Sequence, residues 1–323
     1  MESARLGRTG LEVSIVGLGT AFLGIRDPNQ AAKAYSGGSG IPAEEDLGVA
    51  TVHAALEGGC TLIDTAPLYC QTRSESSIGR ALRERPDLAA ECTVTTKVGQ
   101  LFAGVDHSRE AVLRHVEASQ RRLGIECFQL LFIHDPMGVP MGDVLGESGT
   151  LGALRKLQRE GVVEFVGVAA NEPETNADYV ETGEFDAAVV PEAWSLLNQW
   201  AERRIFPAAE RHDVGLVMAT PLERGLLATG PVAGREYLNR RYTANLFEHV
   251  GKIKTLCDER GVPMNAAALQ WCARHPLVAA TIPGARLPAE ATANAAAAEV
   301  EIPPGFWRDL DPLVRHWDVA IFE

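Results

Sequence analysis

The chain has 323 residues, 46% of them hydrophobic and 23% charged, with a formal net charge of −13. It is long for one ordinary domain and rich enough in apolar residues for one large core, while its acidity argues against a nucleic-acid or anionic-membrane partner. The opening MESARLGRTGLEV has no apolar signal segment and no window reaches the ~18 apolar residues of a spanning helix, so the expectation is a cytoplasmic protein.

Arg5–Thr20, with Gly7, Arg8, Thr9 and Gly10 at its centre, predicts a tight hairpin leading into a first strand. Eight short β-rich segments recur: Val13–Leu18, Thr61–Asp64, Thr93–Lys97, Leu130–His134, Phe165–Ala169, Ala187–Val190, Gly215–Ala219 and Val278–Ile282. Between them lie helical patterns at Glu44–Glu57, Glu75–Arg83, Arg109–Leu123, Leu151–Arg159, Ala201–Arg211 and Ala266–Ala273, with Pro288–Ala298 after the last strand. Alternating strand and helix predicts a parallel sheet with right-handed crossovers, and eight units predict closure into a (β/α)₈ barrel, a single domain over residues 1–323. An open doubly wound sheet is the alternative, but it calls for a glycine-rich phosphate loop after its first strand. GLGTAFLG at Gly17–Gly24 lacks the final spacing, and no clear helix opens there.

Three loops are longer than a barrel needs. Ala21–Ala43 contains Gly37, Gly38 and Gly40; Asp135–Gly149 is rich in Gly and Met; Pro221–Leu246 carries Arg224, Arg235, Arg240 and Arg241. All follow strand C-termini, so they are expected over the active face, where long loops shape a substrate pocket. The four arginines suit either an anionic substrate group or solvent. Asn245–Arg260 predicts an extra helix with Leu246, Val250 and Ile253 on one face.

The six cysteines form no CxxC pair, and neither they nor the eight histidines show metal-ligand spacing. Cys60, Cys92 and Cys127 begin apolar strands, where a thiol serves as a small hydrophobe in a reducing compartment. Cys70, with no second His nearby in sequence, reads as packing rather than as a nucleophile.

The chemistry gathers at strand ends. CTLIDTAPLYC at Cys60–Cys70 is an apolar run that stops at Asp64, with Tyr69 on the loop beyond; TVTTK ends in Lys97 and FQLLFIH in His134. Each alone has an ordinary reading: a helix cap, a loop anchor, a structural ion pair, a core histidine. Together, at the ends of strands two, three and four, they have the geometry of a barrel site. A cation about 4 Å from a phenol oxygen stabilises the phenolate by up to ~4 kcal/mol at an effective dielectric of ~20, enough for Tyr69 to exchange a proton with a carbonyl oxygen or hydroxyl. After strand eight, TIPGARLPAEATAN places Gly284 at a turn, Arg286 next, and a helix start near Pro288, where free N–H groups suit a phosphate. Glu290 is placed to accept from a ribose hydroxyl and to repel a 2′-phosphate. A plain helix start with Pro and Glu in its first turn is the ordinary alternative.

These residues resemble the aldo-keto reductases, through RLGRTGLEVSIVGLGTAFLG, DTAPLY, SESSIGRAL, TTK, HDP, GVAANE, LLNQ, TPLERGLLATG and AALQWCARHPLVAATIPGARLPAE. The resemblance covers nearly the whole chain. It implies a barrel that binds NAD(P)(H) without a Rossmann domain and passes hydride between nicotinamide C4 and a carbonyl or alcohol carbon. Carried over by position, Tyr69 is the proton donor or acceptor, Lys97 lowers its pKa, Asp64 holds the lysine and His134 orients substrate. Asn171 grips the carboxamide, Trp194 stands where a tyrosine usually stacks on the nicotinamide, and Thr20 and Asp64 border the nicotinamide ribose. Pro221, Leu222 and Gly225 lie along the pyrophosphate, and Gly284, Arg286, Glu290 and Asn294 surround the adenosine.

Two positions depart from the pattern. Cys70 follows the tyrosine where the family has glycine, and Glu290 stands where many members carry an arginine for the 2′-phosphate. The second favours NAD, with NADP possible through Arg286. DTAPLY, GVAANE and IPGARLPAE look most like the branch of NAD-linked aldose dehydrogenases that includes pyridoxal 4-dehydrogenase. The expected reaction is oxidation of an aldose at C1 to its lactone. The alternatives are an NADPH-dependent reductase of aldehydes or ketones, and a non-catalytic nucleotide-binding subunit. The expected partner is a small carbonyl or sugar substrate; the oligomeric state is not encoded in these motifs.

Overall fold

A computed structural model describes residues 1–35, 43–232, 237–238, 240 and 242–318. Gly37, Gly38, Gly40, Arg235 and Arg241 lie outside the described residues.

The strands are β1 Ser3–Arg5, β2 Glu12–Ser14, β3 Leu18–Gly19, β4 Leu62–Asp64, β5 Thr93–Val98, β6 Gln100–Leu101, β7 Gly104–Val105, β8 Phe128–His134, β9 Val163–Ala169, β10 Ala187–Val190, β11 Gly215–Ala219 and β12 Val278–Ile282. Eight of them form one sheet in the order β12-β11-β10-β9-β8-β5-β4-β3, with neighbours parallel. Parallel bridges Val16↔Thr281 and Gly19↔Gly284 join its two ends, so the sheet closes into the (β/α)₈ barrel that the alternation implies.

The first predicted strand is divided. Glu12–Ser14 pairs antiparallel with Ser3–Arg5, and only Leu18–Gly19 enters the barrel. Ser14 marks the division: its N–H donates to Thr61 Oγ1 and its Oγ accepts from the Thr61 N–H. The hairpin plugs the end of the barrel opposite the site. Leu6 and Val13, both fully buried, pack on the interior side chains Leu62, Leu130, Phe132, Val189 and Val217. Gly7 makes this approach possible: at φ +49° it sits so near Gly215 that a Cβ would lie 2.1 Å from the Gly215 nitrogen. Gly167 does the same inside the barrel, where a Cβ would strike the Phe132 ring at 2.3 Å.

The surrounding helices sit close to their predicted positions, including Glu45–Glu57, Arg73–Glu84, Arg109–Leu123, Thr150–Arg159, Met264–Ala273 and Pro288–Glu299. Ala244–Arg260 is the extra helix, with Leu246, Val250 and Ile253 buried. Ala201–Arg211 is split into a 3₁₀ turn at Trp200–Glu202 and a helix at Ile205–His212. A further helix, Pro173–Glu181, fills the crossover from β9 to β10. Its PETNADYVE is poor in strong helix formers, so packing of Ala177, Tyr179 and Val180 sustains it. Cys127 departs from expectation: it is exposed, the apolar strand starting only at Phe128, whereas Cys60 is buried and Cys92 half-buried.

Candidate active site

Strand register assembles three of the four candidate catalytic residues. Asp64 pairs with Thr95, and Lys97 is two residues further along β5; Lys97 pairs with Phe132, and His134 is two further along β8. Side chains alternate with period two, so Asp64, Lys97 and His134 share the interior face and step toward the open end. Phe132, in the layer below, belongs to the barrel interior.

Lys97 is 1% exposed and its ammonium meets three oxygens: Asp64 Oδ2 at 2.6 Å, the Thr65 carbonyl at 2.9 Å and the Tyr69 hydroxyl at 3.2 Å. Asp64 Oδ1 accepts from Thr95 Oγ1 at 3.2 Å. Burial pushes the Asp64 pKa up and the Lys97 pKa down, and the attraction between the two opposes both shifts. The His134 ring stands edge-on to Tyr69, centroids 5.8 Å apart. Burial, then Lys97 and His107, hold its pKa well below the ordinary imidazole value, so it is neutral at pH 7.

The loop bearing Tyr69 is locally left-handed, with Cys70 at φ 49°, Gln71 at 55° and Thr72 at 71°. Cys70 thus adopts the conformation a glycine would take there. Its buried thiol donates to the carbonyls of Ala21 and Leu23, both at 3.6 Å, and burial lifts its pKa to about 11. That thiol packs and does not react, as the sequence implies.

The expected cofactor residues are placed as follows. Thr20 is buried, its Oγ1 donating to the Asp64 carbonyl at 2.8 Å. Asn171 follows β9 and binds Asp135 through its backbone N–H at 2.8 Å and its Nδ2 at 3.0 Å. Pro221 and Leu222 are buried after β11, and Gly225 takes φ 96°. Gly284, Arg286, Glu290 and Asn294 lie together: Glu290 accepts from the Arg286 N–H at 2.8 Å and its guanidinium at 2.5 Å, and Asn294 Nδ2 donates to the Gly284 carbonyl at 3.4 Å.

Trp194 is the exception. Its indole is 5% exposed, stacked on Trp271 at 4.6 Å and edge-on to Phe206 at 4.8 Å, with Nε1 donating to the Cys272 carbonyl at 3.2 Å. The ring therefore lies among helix residues and presents no open face for a nicotinamide. Glu192, at φ 57° two residues earlier, turns the chain there, its N–H donating to Thr220 Oγ1.

Arg224 and Arg240 face neither solvent nor an open anion site. Arg240 pairs with Glu223 at 2.9 Å and with Glu192, and Arg224 pairs with Glu192 at 3.1 Å, all four side chains being buried. Sequence reasoning missed Glu192, Glu223 and Asp135. Their acidic character at strand C-termini was the available signal, but nothing in one sequence pairs Glu192 with an arginine 48 residues away.

Residues 17–315 match the Aldo/keto reductase family. The chain belongs to that family. Pyridoxal 4-dehydrogenase of Microbacterium luteolum is 29% identical, the alignment covering 96% of each chain. D-threo-aldose 1-dehydrogenase of a Pseudomonas species is also 29% identical, over 82% of this chain and 87% of its own. The holo form of an aldo-keto reductase from Bacillus halodurans superposes with a TM-score of 0.75 at 26% identity, covering 98% of both chains.

This aldo-keto reductase offers unpartnered polar atoms to the nicotinamide cofactor its family uses. Thr65 Oγ1 after β4, Gln100 Oε1 in β6 and His134 Nδ1 at the end of β8 are buried and have no hydrogen-bond partner among the described residues. Buried polar atoms of this kind fit the polar groups of a dinucleotide and substrate.

Proposed function

We propose that the enzyme oxidises the C1 hydroxyl of a cyclic aldose to a lactone with NAD⁺. The observation that carries this reading is the ammonium of Lys97, held 2.6 Å from Asp64 and 3.2 Å from the Tyr69 hydroxyl. A positive charge there favours phenolate over phenol, and the phenolate takes the proton of the substrate hydroxyl. Neutral His134 hydrogen-bonds the same oxygen and fixes its approach. The chemistry a bound dinucleotide would supply is a hydride acceptor for C1. With the proton on Tyr69 and the hydride removed, C1 is left as the carbonyl of the lactone.

Asn171 would hold the carboxamide, Thr20 and Asp64 would border the adjacent ribose, and Pro221, Leu222 and Gly225 would line the pyrophosphate. Gly284, Arg286, Glu290 and Asn294 would hold the adenosine. The Arg286–Glu290 ion pair supports NAD, because that guanidinium is already neutralised and a carboxylate stands beside it. The two dehydrogenase relatives support an aldose or pyridoxal as substrate and oxidation as the direction.

The test is an assay of aldoses, pyridoxal and simple aldehydes with both nucleotides in both directions. The expected result is aldose-dependent formation of NADH, reduced about 10²–10⁴-fold by Tyr69→Phe. Turnover confined to aldehyde reduction with NADPH would replace this reading with the reductase one. Tyr69→Phe with unchanged turnover would remove the tyrosine from the mechanism.

A further inference from the structure

Asp135 directly follows His134 and has no part in the mechanism above. It is a non-glycine residue at φ 43°, its N–H donating to the Ala169 carbonyl at 2.8 Å, and it is 6% exposed. A carboxylate in a left-handed turn at the end of an interior strand is costly in backbone strain and in desolvation, so a compensating role is expected. The role is visible in its partners. Oδ1 accepts the Asn171 backbone N–H at 2.8 Å and Oδ2 accepts Asn171 Nδ2 at 3.0 Å.

An ionised carboxylate only accepts hydrogen bonds, so the nitrogen of the Asn171 amide must face it and the oxygen must face away. We infer that Asp135 is a positioning residue that fixes the amide of Asn171 with Oδ1 toward the nicotinamide, making Asn171 an obligate acceptor for the carboxamide NH₂. This rests on the dinucleotide reading above and adds to it the hydrogen-bond polarity of one contact.

In Asp135→Asn, Oδ1 still accepts the Asn171 backbone N–H, but an NH₂ replaces Oδ2. Asn171 must then turn its own oxygen toward residue 135 and its Nδ2 toward the nicotinamide. Asparagine tolerates a left-handed φ, so the loop is retained. The cofactor contact changes from acceptor to donor.

Acidification does the same without a mutation. Burial is the largest influence on Asp135 and lifts its pKa to about 6. The charged and titratable groups facing it are Lys97, which lowers the pKa, Glu172, which raises it, His134 with Nε2 at 3.8 Å, and His107 beside its backbone. Burial shifts both His134 and His107 below the ordinary imidazole value, His134 well below it. The protonated form of Asp135 donates, and Asn171 Oδ1 becomes the acceptor for that proton.

The experiment measures dissociation constants of NAD⁺ and of 3-acetylpyridine adenine dinucleotide on the full-length enzyme. The analogue has a ketone in place of the carboxamide and therefore offers an acceptor and no donor. Wild type is expected to discriminate against the analogue, and Asp135→Asn to reduce that discrimination by about tenfold, one hydrogen bond's worth. A purely structural effect weakens both ligands together and leaves the ratio unchanged. In wild type the ratio is expected to fall as the pH drops through about 6, which decides the matter even if the variant does not fold. A ratio independent of both pH and Asp135 overturns the inference while leaving the dinucleotide reading standing. Binding of neither nucleotide to wild type overturns both.

Discussion

At the scale of single residues, the Lys97 ammonium has three protons and three oxygens to receive them. No freedom remains for it to turn away from Tyr69, so its charge is fixed in position beside the phenol. Sequence made Asp64, Lys97 and His134 legible because each ends a β-rich segment, so chemical type and position on the strand coincide. Trp194 was illegible for the converse reason. Its position in VVPEAWSLLNQ shows nothing of the turn at Glu192 that places the indole between Trp271 and Phe206. Glu290 carries a prediction at this scale. Replacing it with arginine removes the partner of Arg286 and places two guanidinium groups at the adenosine end. Glu290→Arg is expected to improve NADP⁺ affinity relative to NAD⁺ by roughly tenfold or more, measured as a ratio of dissociation constants. An unchanged ratio would mean that the ribose is held elsewhere.

Among the elements, the long connection after β11 has the least expected arrangement. Glu192 follows β10, Glu223 follows β11, and Arg240 joins both, while Tyr242 donates to the Glu223 carbonyl at 3.0 Å. Five non-glycine residues among those described here, Glu192, Thr220, Glu223, Arg224 and Leu238, take positive φ. The arginines were visible in sequence; their buried partners were not, because the pairing spans separate strand–loop units. Burial and the nearby Glu192 raise the Glu223 pKa to about 7. A carboxyl raised this way favours the folded state at low pH, and that contribution is lost as the pH rises through about 7. Arg240→Ala leaves two buried carboxylates without their shared partner and is expected to cost ~3–5 kcal/mol near pH 8 in denaturant unfolding. The loss is expected to be smaller near pH 5.5, where Glu223 is protonated. A deficit that grows on acidification would show that the pair is not held as described.

For the whole molecule, the barrel brings together side chains that are remote in sequence. Asp64, Lys97 and His134 meet because three consecutive strands pair in parallel, with each functional residue two positions beyond its neighbour's register. Strand–helix alternation made that architecture legible. Closure was less so: it depends on the two-residue strand Leu18–Gly19 and on bridges to Thr281 and Gly284, which no local pattern signals. Proton exchange through Tyr69 requires that this scaffold make one phenol unusually acidic. The chain has five tyrosines, and burial pushes two of them, Tyr179 and Tyr242, upward. Titrating the ultraviolet phenolate absorbance of wild type and of Tyr69→Phe, and subtracting one from the other, isolates Tyr69. The expected difference curve is a single ionisation with its midpoint clearly below the ordinary tyrosine value of ~10. A midpoint at or above that value would contradict the central claim.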